Sequence, residues 1–169
     1  MFDFIIKKKI KDLLKKSNRN RRFINMDKIV SCYVIFDSAD SEAVDGFVKK
    51  LEQMNKRVKG CCYKRRNDYS KTSYQMIAPN IDTNRFGIPN SHVLQKVKEE
   101  KSDVLIDLTI NENRTLEYIV AVMDNIPMKI GLKKNDIQLY DVSIFDLPDD
   151  CTSKCMELGN QIMYYLNTL

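Results

Sequence analysis

Four polar residues stand at or just after the ends of apolar segments, where ligand-binding chemistry is most easily built. They are Asp37, Asp107, Asn111 and Asp146. If the apolar segments are parallel strands, their carboxyl ends meet at one edge of a sheet, which is where ligands of such sheets bind. Carboxylates gathered there could bind Mg²⁺, or could divide the roles of acid and base, because like charges held close push their pKa values apart. The four residues form a possible strand-end ligand site.

The same four residues have a simpler explanation as turn and cap residues. Asp and Asn are common at helix starts, where the side-chain oxygen accepts a hydrogen bond from a backbone N–H. No glycine-rich loop accompanies them to cradle a phosphate, which argues against a nucleotide-dependent enzyme. We favour this second interpretation and predict no catalytic residue, no metal site and no cofactor.

Metal-ligating and nucleophilic side chains are few. The chain has five cysteines and one histidine, namely Cys32, Cys61, Cys62, Cys151, Cys155 and His92. Cys151 and Cys155 lie four apart, on one face of a predicted helix, but a metal site would need two further ligands. Their odd number and apolar surroundings favour reduced, buried thiols, which are typical of a cytoplasmic protein. His92 has no Ser or Cys nucleophile in a recognisable setting, and a cap or surface role is favoured.

Positive charge is concentrated at the N-terminus. The net charge is +5, but residues 1–22 alone carry nine basic side chains against two acidic ones, a net of +7, which leaves −2 for the remaining 147 residues. The nine basic residues are Lys7, Lys8, Lys9, Lys11, Lys15, Lys16, Arg19, Arg21 and Arg22. A segment of this charge predicts a polyanionic partner.

A second basic cluster, at 56–66, ends in Arg65 and Arg66 and is interleaved with tyrosines. It could extend the cationic surface, with Tyr63 and Tyr69 stacking on bases. It could also protect an edge strand by charge. The second interpretation is favoured because charge runs usually mark solvated faces, yet Arg65 and Arg66 stay among the candidate nucleic-acid contacts.

Residues 2–16 have the periodicity of an amphipathic helix, and 17–27, rich in Asn and Arg, are predicted to form a connector. The apolar stripe that contains Phe2, Ile6 and Ile10 requires an apolar partner, which could be the body of this chain, another protein or a membrane surface. The lysines and residues 18–22 suit phosphates, since Arg and Asn donors fit RNA backbones and unstacked bases. RNA or a ribonucleoprotein is therefore the leading partner, with an anionic membrane surface as the alternative.

The body of the chain alternates strand and helix. Apolar runs predict strands at 28–36, 58–63, 73–78, 103–110, 128–132 and 137–145. Helical spacing predicts four helices, which begin after Asp40 or Ser41, after Asn90 or Ser91, after Asn111 or Asn113, and near Asp149 or Asp150. This alternation predicts an α/β fold, a three-layer Rossmann-like sandwich around a mostly parallel sheet of five or six strands. We divide the chain into 1–27, the basic helix and connector, and 28–169, a single α/β domain.

Several stretches together resemble a known group of proteins. These are the basic N-terminal helix, KIVSCYVIFD at 28–37, IDTNRFGIPNS at 81–91, and DVLIDLTINENRTLEYIVAV at 103–122 with MKIGL at 128–132. The combination resembles an uncharacterised family of short α/β proteins common in Bacteroidetes, and this resemblance implies a fold and no activity. DVLIDLT followed by a helix and KIGL is also similar, more weakly, to the N-terminal half of heptosyltransferase-type glycosyltransferases, which implies shared architecture.

Charge and pattern together predict a non-enzymatic cytoplasmic α/β module that docks on RNA or a ribonucleoprotein through its cationic N-terminal helix. A peripheral membrane adaptor and a small glycosyltransferase-like enzyme are the alternatives. Cytoplasm is the expected location because no apolar run approaches the ~20 residues that a membrane span needs. A protein partner for the apolar helix face also stays open.

Overall fold

The computed structural model describes residues 2–65 and 74–169. Its strands are β1 (Ser31–Asp37), β2 (Arg57–Tyr63), β3 (Gln75–Ile77), β4 (Val104–Asp107), β5 (Met128–Leu132) and β6 (Val142–Ile144). Its helices are α1 (Phe2–Lys16), α2 (Ser41–Gln53), α3 (Pro79–Asp82), α4 (Ser91–Glu99), α5 (Arg114–Val122) and α6 (Lys154–Thr168). The strands form one sheet in the order β3-β2-β1-β4-β5-β6, and every neighbouring pair is parallel. The predicted α/β class and Rossmann-like sandwich are confirmed.

The centre of the sheet is formed by β1 and β4, whose sequences tolerate burial on both faces. Residues 32–36 of β1 and all four residues of β4 are buried. Their β-branched and aromatic side chains pack well on a pleated surface. Chain order reverses between these two strands, with β2 and β3 on one side and β5 and β6 on the other. The topological switch point of the sheet therefore lies between β1 and β4.

Helices cover both faces of the sheet. On one face α2 packs against α6, over a core that includes Phe36 of β1. On the other face α4 and α5 cover Tyr33 and Ile35 of the same strand. Helix α1 joins this second layer by packing against α5, and Ile6 and Ile10 are buried in its core. The body of the chain itself thus covers much of the apolar stripe of α1.

The connector, residues 17–27, carries the chain from one helical layer to the other across the amino edge of the sheet. The backbone N–H of Arg22 donates to the carbonyl of Pro127 at 3.1 Å, just before β5. Ile24 and Met26 then enter the core beneath α2 and α6. The side chain of Asn25 donates to the carbonyl of Leu169 at 2.8 Å. The connector is therefore a strap that joins both layers at the amino edge.

Several local boundaries differ from the sequence-based expectations. The strand expected at 28–36 begins at Ser31, and the one expected at 103–110 ends at Asp107, whose side chain bonds to the N–H of Thr109 and holds a turn there. The last helix begins at Lys154, because Ser153 caps it, so Cys151 lies before the helix and shares no helical face with Cys155. The strand expected at 137–145 shortens to β6, because Ile137 is buried in the core of the second layer. The strand expected at 73–78 corresponds to β3, and residue 73 lies outside the described residues.

Candidate functional site

The solvent side of α1 carries an array of lysines. They are Lys8, Lys9, Lys15 and Lys16, and all four are exposed. Within the described part of the chain no ion pair engages them. They point outward because Ile6 and Ile10 turn the opposite side of the helix toward the body. We call these four residues the lysine face.

Two other lysines of α1 contact the protein itself. Lys7 and Lys11 each place Nζ on a carboxylate oxygen of Asp136, at 2.6 and 2.7 Å. The hydrogen bonds from Lys11 and Lys7 hold the pKa of Asp136 well below its usual range. At the start of α1, Arg114 reaches the carboxylate of Asp3 at 2.7 Å. These exposed pairs add little stability, but they fix how α1 is rotated on the body.

Arg19, in the connector, is buried at the amino edge. Its guanidinium makes two 2.7 Å hydrogen bonds to Asp141 and also donates to the carbonyls of Ile126 and Pro127. Only 5% of the Arg19 side chain and 8% of the Asp141 side chain are exposed. In this bidentate arrangement, both terminal nitrogens of the planar guanidinium donate to the Asp141 carboxylate. The other two arginines predicted to contact nucleic acid, Arg21 and Arg22, are exposed. The Nε of Arg21 lies 3.7 Å from the Asp141 carboxylate.

The second basic cluster is described as far as Arg65, at the carboxyl end of β2. Its Nε donates to Asp37 at 2.8 Å, and its backbone N–H donates to the hydroxyl of Ser38 at 3.0 Å. Arg66 and Tyr69 lie outside the described residues. The predicted nucleic-acid contact Arg65 thus sits beside the predicted ligand residue Asp37, and each offsets the charge of the other.

The carboxyl edge of the sheet opens into a cleft at the switch point between β1 and β4. Its volume is about 420 Å³, which falls within the range of small-molecule sites. We call it the carboxyl-edge cleft, and its walls include Asp37, Asp40, Lys64, Arg65, Asn111 and Glu112. Two of the four predicted strand-end residues, Asp37 and Asn111, line this cleft. It lies where ligands of open α/β sheets bind.

Both signs of charge line the carboxyl-edge cleft. Asp37 accepts from Arg65 and also from the backbone N–H of Ala39 at 2.9 Å, so it caps a turn as well as facing the cleft. Burial raises the pKa of Asp40, and the charge of Asp37 raises it further. Lys64 has no ion-pair partner among the described residues. The walls therefore suit a polar ligand of low net charge.

Asp107 lies beneath this cleft, 1% exposed, and is fully hydrogen-bonded. It accepts from the hydroxyl of Tyr140 at 2.6 Å and from the N–H and hydroxyl of Thr109 at 2.9 and 2.6 Å. Lys134 Nζ lies 4.0 Å from the same carboxylate and donates to the Thr109 hydroxyl. The Tyr140 ring packs over Gly131, where an added Cβ would lie 2.7 Å from ring atoms. Asp107 thus holds the turn that follows β4.

Asp146 lies on the other side of the segment 110–112. It lines a neighbouring pocket of about 400 Å³, together with Lys133 and Lys154. Asn111 borders both this pocket and the carboxyl-edge cleft. The four predicted ligand residues are therefore divided among the cleft, its floor and the adjacent pocket.

The sequence does not reveal the side chains that surround the Asp107 carboxylate. Tyr140 lies 33 positions away, within the strand predicted at 137–145, and Lys134 lies between that strand and the one predicted at 128–132. A tyrosine and a lysine within the segment that follows β5 were the only local signal. Such residues are too common in surface turns to indicate a buried network.

The described residues present little metal or thiol chemistry. Within 2–65 and 74–169, no three His, Cys, Asp or Glu side chains are grouped so that they could hold a metal ion. Cys32, Cys61, Cys151 and Cys155 are free thiols. Burial raises the pKa of Cys32, Cys61 and Cys155 to about 12, which keeps these thiols protonated and unreactive. None of the helices in the described ranges combines the length and the apolar character that crossing a bilayer requires.

The chain belongs to DUF6913, a family of unknown function whose model matches residues 3–169. The matched range contains α1 and the connector as well as the α/β body. No curated protein matches the chain, and no solved structure matches it. Family membership thus spans the basic helix and the body together and carries no activity with it.

Proposed function

We propose that the protein is a non-enzymatic α/β module that docks on RNA or a ribonucleoprotein through the lysine face of α1. One observation carries this proposal: the apolar side of α1 is packed on the body, so the four lysines project together from an ordered helix. A fixed array of cations recognises phosphates without the cost of ordering a flexible tail. The exposed Arg21 and Arg22 extend the positive surface beyond the end of α1.

If the four lysines of the lysine face contact phosphates, they need no acidic partner within the protein. Lysine neutralises phosphate as a point charge and releases condensed counterions, which makes binding strongly dependent on salt. The remaining part of the chain after residue 22 has a net charge of −2. An RNA would therefore be attracted to one side of the molecule and repelled weakly by the rest.

The decisive variant changes charge and leaves packing alone. Deleting the N-terminal segment would remove Ile6 and Ile10 from the core, so a truncated chain tests folding as much as binding. Glutamine at Lys8, Lys9, Lys15 and Lys16 keeps the helix and removes four charges. A matched control places glutamine at four exposed lysines elsewhere, Lys28, Lys49, Lys98 and Lys101, and has the same net charge.

Binding to a single-stranded RNA is measured across a salt series for the three proteins. We expect the lysine-face variant to bind more weakly and to lose about three units of the log–log salt slope, at ~0.7 per phosphate contact. The control variant should keep a slope close to that of the natural chain. Equal losses in the two variants would mean that RNA responds to net charge and not to this face, and the docking proposal would fail.

A peripheral membrane adaptor is the second candidate, and one observation favours it. Phe4 is 73% exposed and Ile5 lies on the solvent side of α1, close to Lys8 and Lys9 on the helix surface. Apolar side chains beside lysines can insert below anionic headgroups. Flotation with anionic vesicles tests this candidate. Serine at Phe4 and Ile5 should abolish flotation and leave RNA binding unchanged if the membrane is the partner.

A small glycosyltransferase-like enzyme is the third candidate, supported by the position of the carboxyl-edge cleft at the switch point. Thermal stabilisation by a nucleotide sugar, with UDP-glucose as the probe, should be lost on Asn111→Ala if the cleft binds such a substrate. For all three candidates we place the protein in the cytoplasm. The free thiols of Cys32, Cys61, Cys151 and Cys155 support a reducing compartment.

A further inference from the structure

Ser102, in the turn between α4 and β4, is buried, yet its hydroxyl has no hydrogen-bond partner among the described residues. The residue is 8% exposed. The unpaired oxygens that are sealed from solvent belong to Tyr33 and Glu100, and the Ser102 hydroxyl is not one of them. It therefore opens on a surface, and Ser102 lines a pocket at the amino edge of the sheet. Native proteins rarely leave a polar atom so deep without a partner, which indicates that this hydroxyl bonds to an occupant of the pocket.

We call this concavity the amino-edge pocket. Its volume is about 290 Å³, close to the lower limit of small-molecule sites. Hydrogen bonds fix two of its walls, since the N–H of Arg22 donates to the carbonyl of Pro127 at 3.1 Å and the side chain of Asn125 donates to the carbonyl of Lys98 at 2.7 Å. The pocket is therefore formed before any ligand arrives. Its walls include Arg22, Ser31, Lys101, Ser102, Asn125 and Pro127.

The charges of the amino-edge pocket favour an anion. Arg22 and Lys101 both line it, both are exposed, and neither has an ion-pair partner among the described residues. The carboxylate in the wall, that of Asp103, turns one oxygen to the backbone, where it accepts from the N–H of Val30 at 2.8 Å and of Ser31 at 3.0 Å. Backbone donors thus offset part of its charge. Two unpaired cations and one unpaired hydroxyl are left to meet a ligand.

We propose that the amino-edge pocket binds the terminal phosphate of a small molecule, which pairs with Arg22 and Lys101 and accepts a hydrogen bond from Ser102. A terminal phosphate carries a charge of roughly −1.5 to −2 at neutral pH and has three strong acceptor oxygens. These properties match two cations and one hydroxyl. A backbone phosphate of RNA carries less charge and is flanked by two sugars, so it suits the open lysine face better than a pocket. The proposal does not rest on the docking proposal.

The test uses the full chain, with thermal unfolding as the readout, in a phosphate-free buffer at constant ionic strength. The probes are inorganic phosphate and glycerol 3-phosphate, each titrated to about 10 mM, and glycerol is the counterpart that lacks the phosphate. Both phosphate probes should raise the unfolding temperature in a saturable way, and glycerol should not. If neither phosphate probe gives a saturable shift, the pocket holds only water and the proposal is wrong.

Two substitutions locate the binding in this pocket. Ser102→Ala removes an unpaired hydroxyl, so it should leave the unfolding temperature without ligand unchanged and weaken binding about tenfold. Arg22→Gln removes one of the two cations and should also weaken binding at least about tenfold. Arg21→Gln is the matched control. It lowers the net charge by the same amount in the same connector, but Arg21 does not line the pocket, so binding should be normal.

Three results from these variants would overturn the proposal. A shift that survives both Ser102→Ala and Arg22→Gln would place the binding elsewhere. Equal losses in Arg22→Gln and Arg21→Gln would mean that phosphate responds to net charge alone. The third result concerns RNA, which Ser102→Ala should bind as well as the natural chain does. A loss of RNA binding in this variant would assign the pocket to backbone phosphates, and the small-molecule assignment would fail.

Discussion

At the amino edge of the sheet the connector crosses the strand ends, and the guanidinium of Arg19 fills the space beside β5. At the carboxyl edge the strand ends stay open around the carboxyl-edge cleft. Both edges are rich in charged side chains. At the amino edge Arg19 is paired with Asp141 and both are buried, whereas Lys64 at the other edge faces a cleft.

The two edges show that residue type alone does not distinguish a charged side chain that is bonded within the fold from one that can bind a partner. The sequence predicts one cationic segment that includes both α1 and the connector, yet Arg19 bonds inward and Lys8 points to solvent. What decides the role of each cation is whether an acidic partner lies within the same packed layer. The edges can therefore be tested separately, by substitutions that should be costly at one and tolerated at the other.

The largest effect is expected at the amino edge. Arg19→Ala leaves the carboxylate of Asp141 buried without its main cationic partner, which should lower the free energy of unfolding by about 3–5 kcal/mol. Urea unfolding measures it. Arg22→Ala, in the same connector but exposed, is the control and should change stability by less than about 0.5 kcal/mol. If the two variants are equally stable, the Arg19–Asp141 pair does not hold the strap.

The second prediction concerns Lys129, near the amino end of β5. It is 1% exposed, and its Nζ donates to the carbonyl of Val120 at 2.5 Å. Burial, with the charge of Arg19, lowers its pKa to about 7. The folded state therefore disfavours the charged amine, a penalty that is fully present below pH 7. The penalty diminishes as the pH rises, because the unfolded chain still binds the proton up to its ordinary pKa near 10.

The measurement is the stability of the natural chain minus that of Lys129→Met between pH 6 and pH 10. We expect this difference to shift in favour of the natural chain as the pH rises above 7, by up to about 1.4 kcal/mol per pH unit. The lost bond to Val120 adds a constant that does not depend on pH. A difference that stays flat over this range would contradict the lowered pKa of Lys129.

At the floor of the carboxyl edge a moderate effect is expected. Tyr140→Phe removes the hydroxyl that donates to Asp107 and leaves one carboxylate oxygen without its nearest donor. Stability should fall by about 1–3 kcal/mol. Tyr118→Phe, on the half-buried face of α5, is the matched control and should be nearly neutral. Similar losses in both variants would show that ring packing, not the bond to Asp107, is what matters.

The smallest effect is expected in the wall of the cleft. Asn111 is exposed and borders both carboxyl-edge pockets. Asn111→Ala should change the free energy of unfolding by less than about 0.5 kcal/mol. A loss above about 1 kcal/mol would make Asn111 a structural residue and would remove the contrast between the two edges.

The sheet could be predicted from the sequence because its central strands are buried on both sides. In a chain of this length, continuous apolar runs such as those of β1 and β4 are best explained as strands buried on both faces. The alternation with amphipathic helices then leaves parallel pairing as the natural outcome. The position of Asp37 and Asn111 at the carboxyl edge followed from the same reasoning.

The packing partner of α1 and the burial of Asp107 could not be predicted in the same way. Periodicity shows that Ile6 and Ile10 share a face, but not whether that face meets α5, a lipid or another chain. Asp107 follows an apolar run and looks like an available carboxylate. Only the structure shows that Asp107 is covered, because the ring of Tyr140 packs over Gly131 and its hydroxyl bonds to the Asp107 carboxylate. Both outcomes depend on contacts between segments that are far apart in the sequence. Local sequence patterns do not indicate such contacts.

The strap has a consequence for how the chain is made. Asn25 bonds to the carbonyl of Leu169, 144 positions later, and Arg19 bonds to Asp141, 122 positions later. During synthesis α1 and the connector leave the ribosome long before these partners are made, and contacts of such separation form slowly. Ile6 and Ile10 stay uncovered until α5 has been translated. A nascent chain therefore carries α1 and the connector exposed until their distant partners emerge.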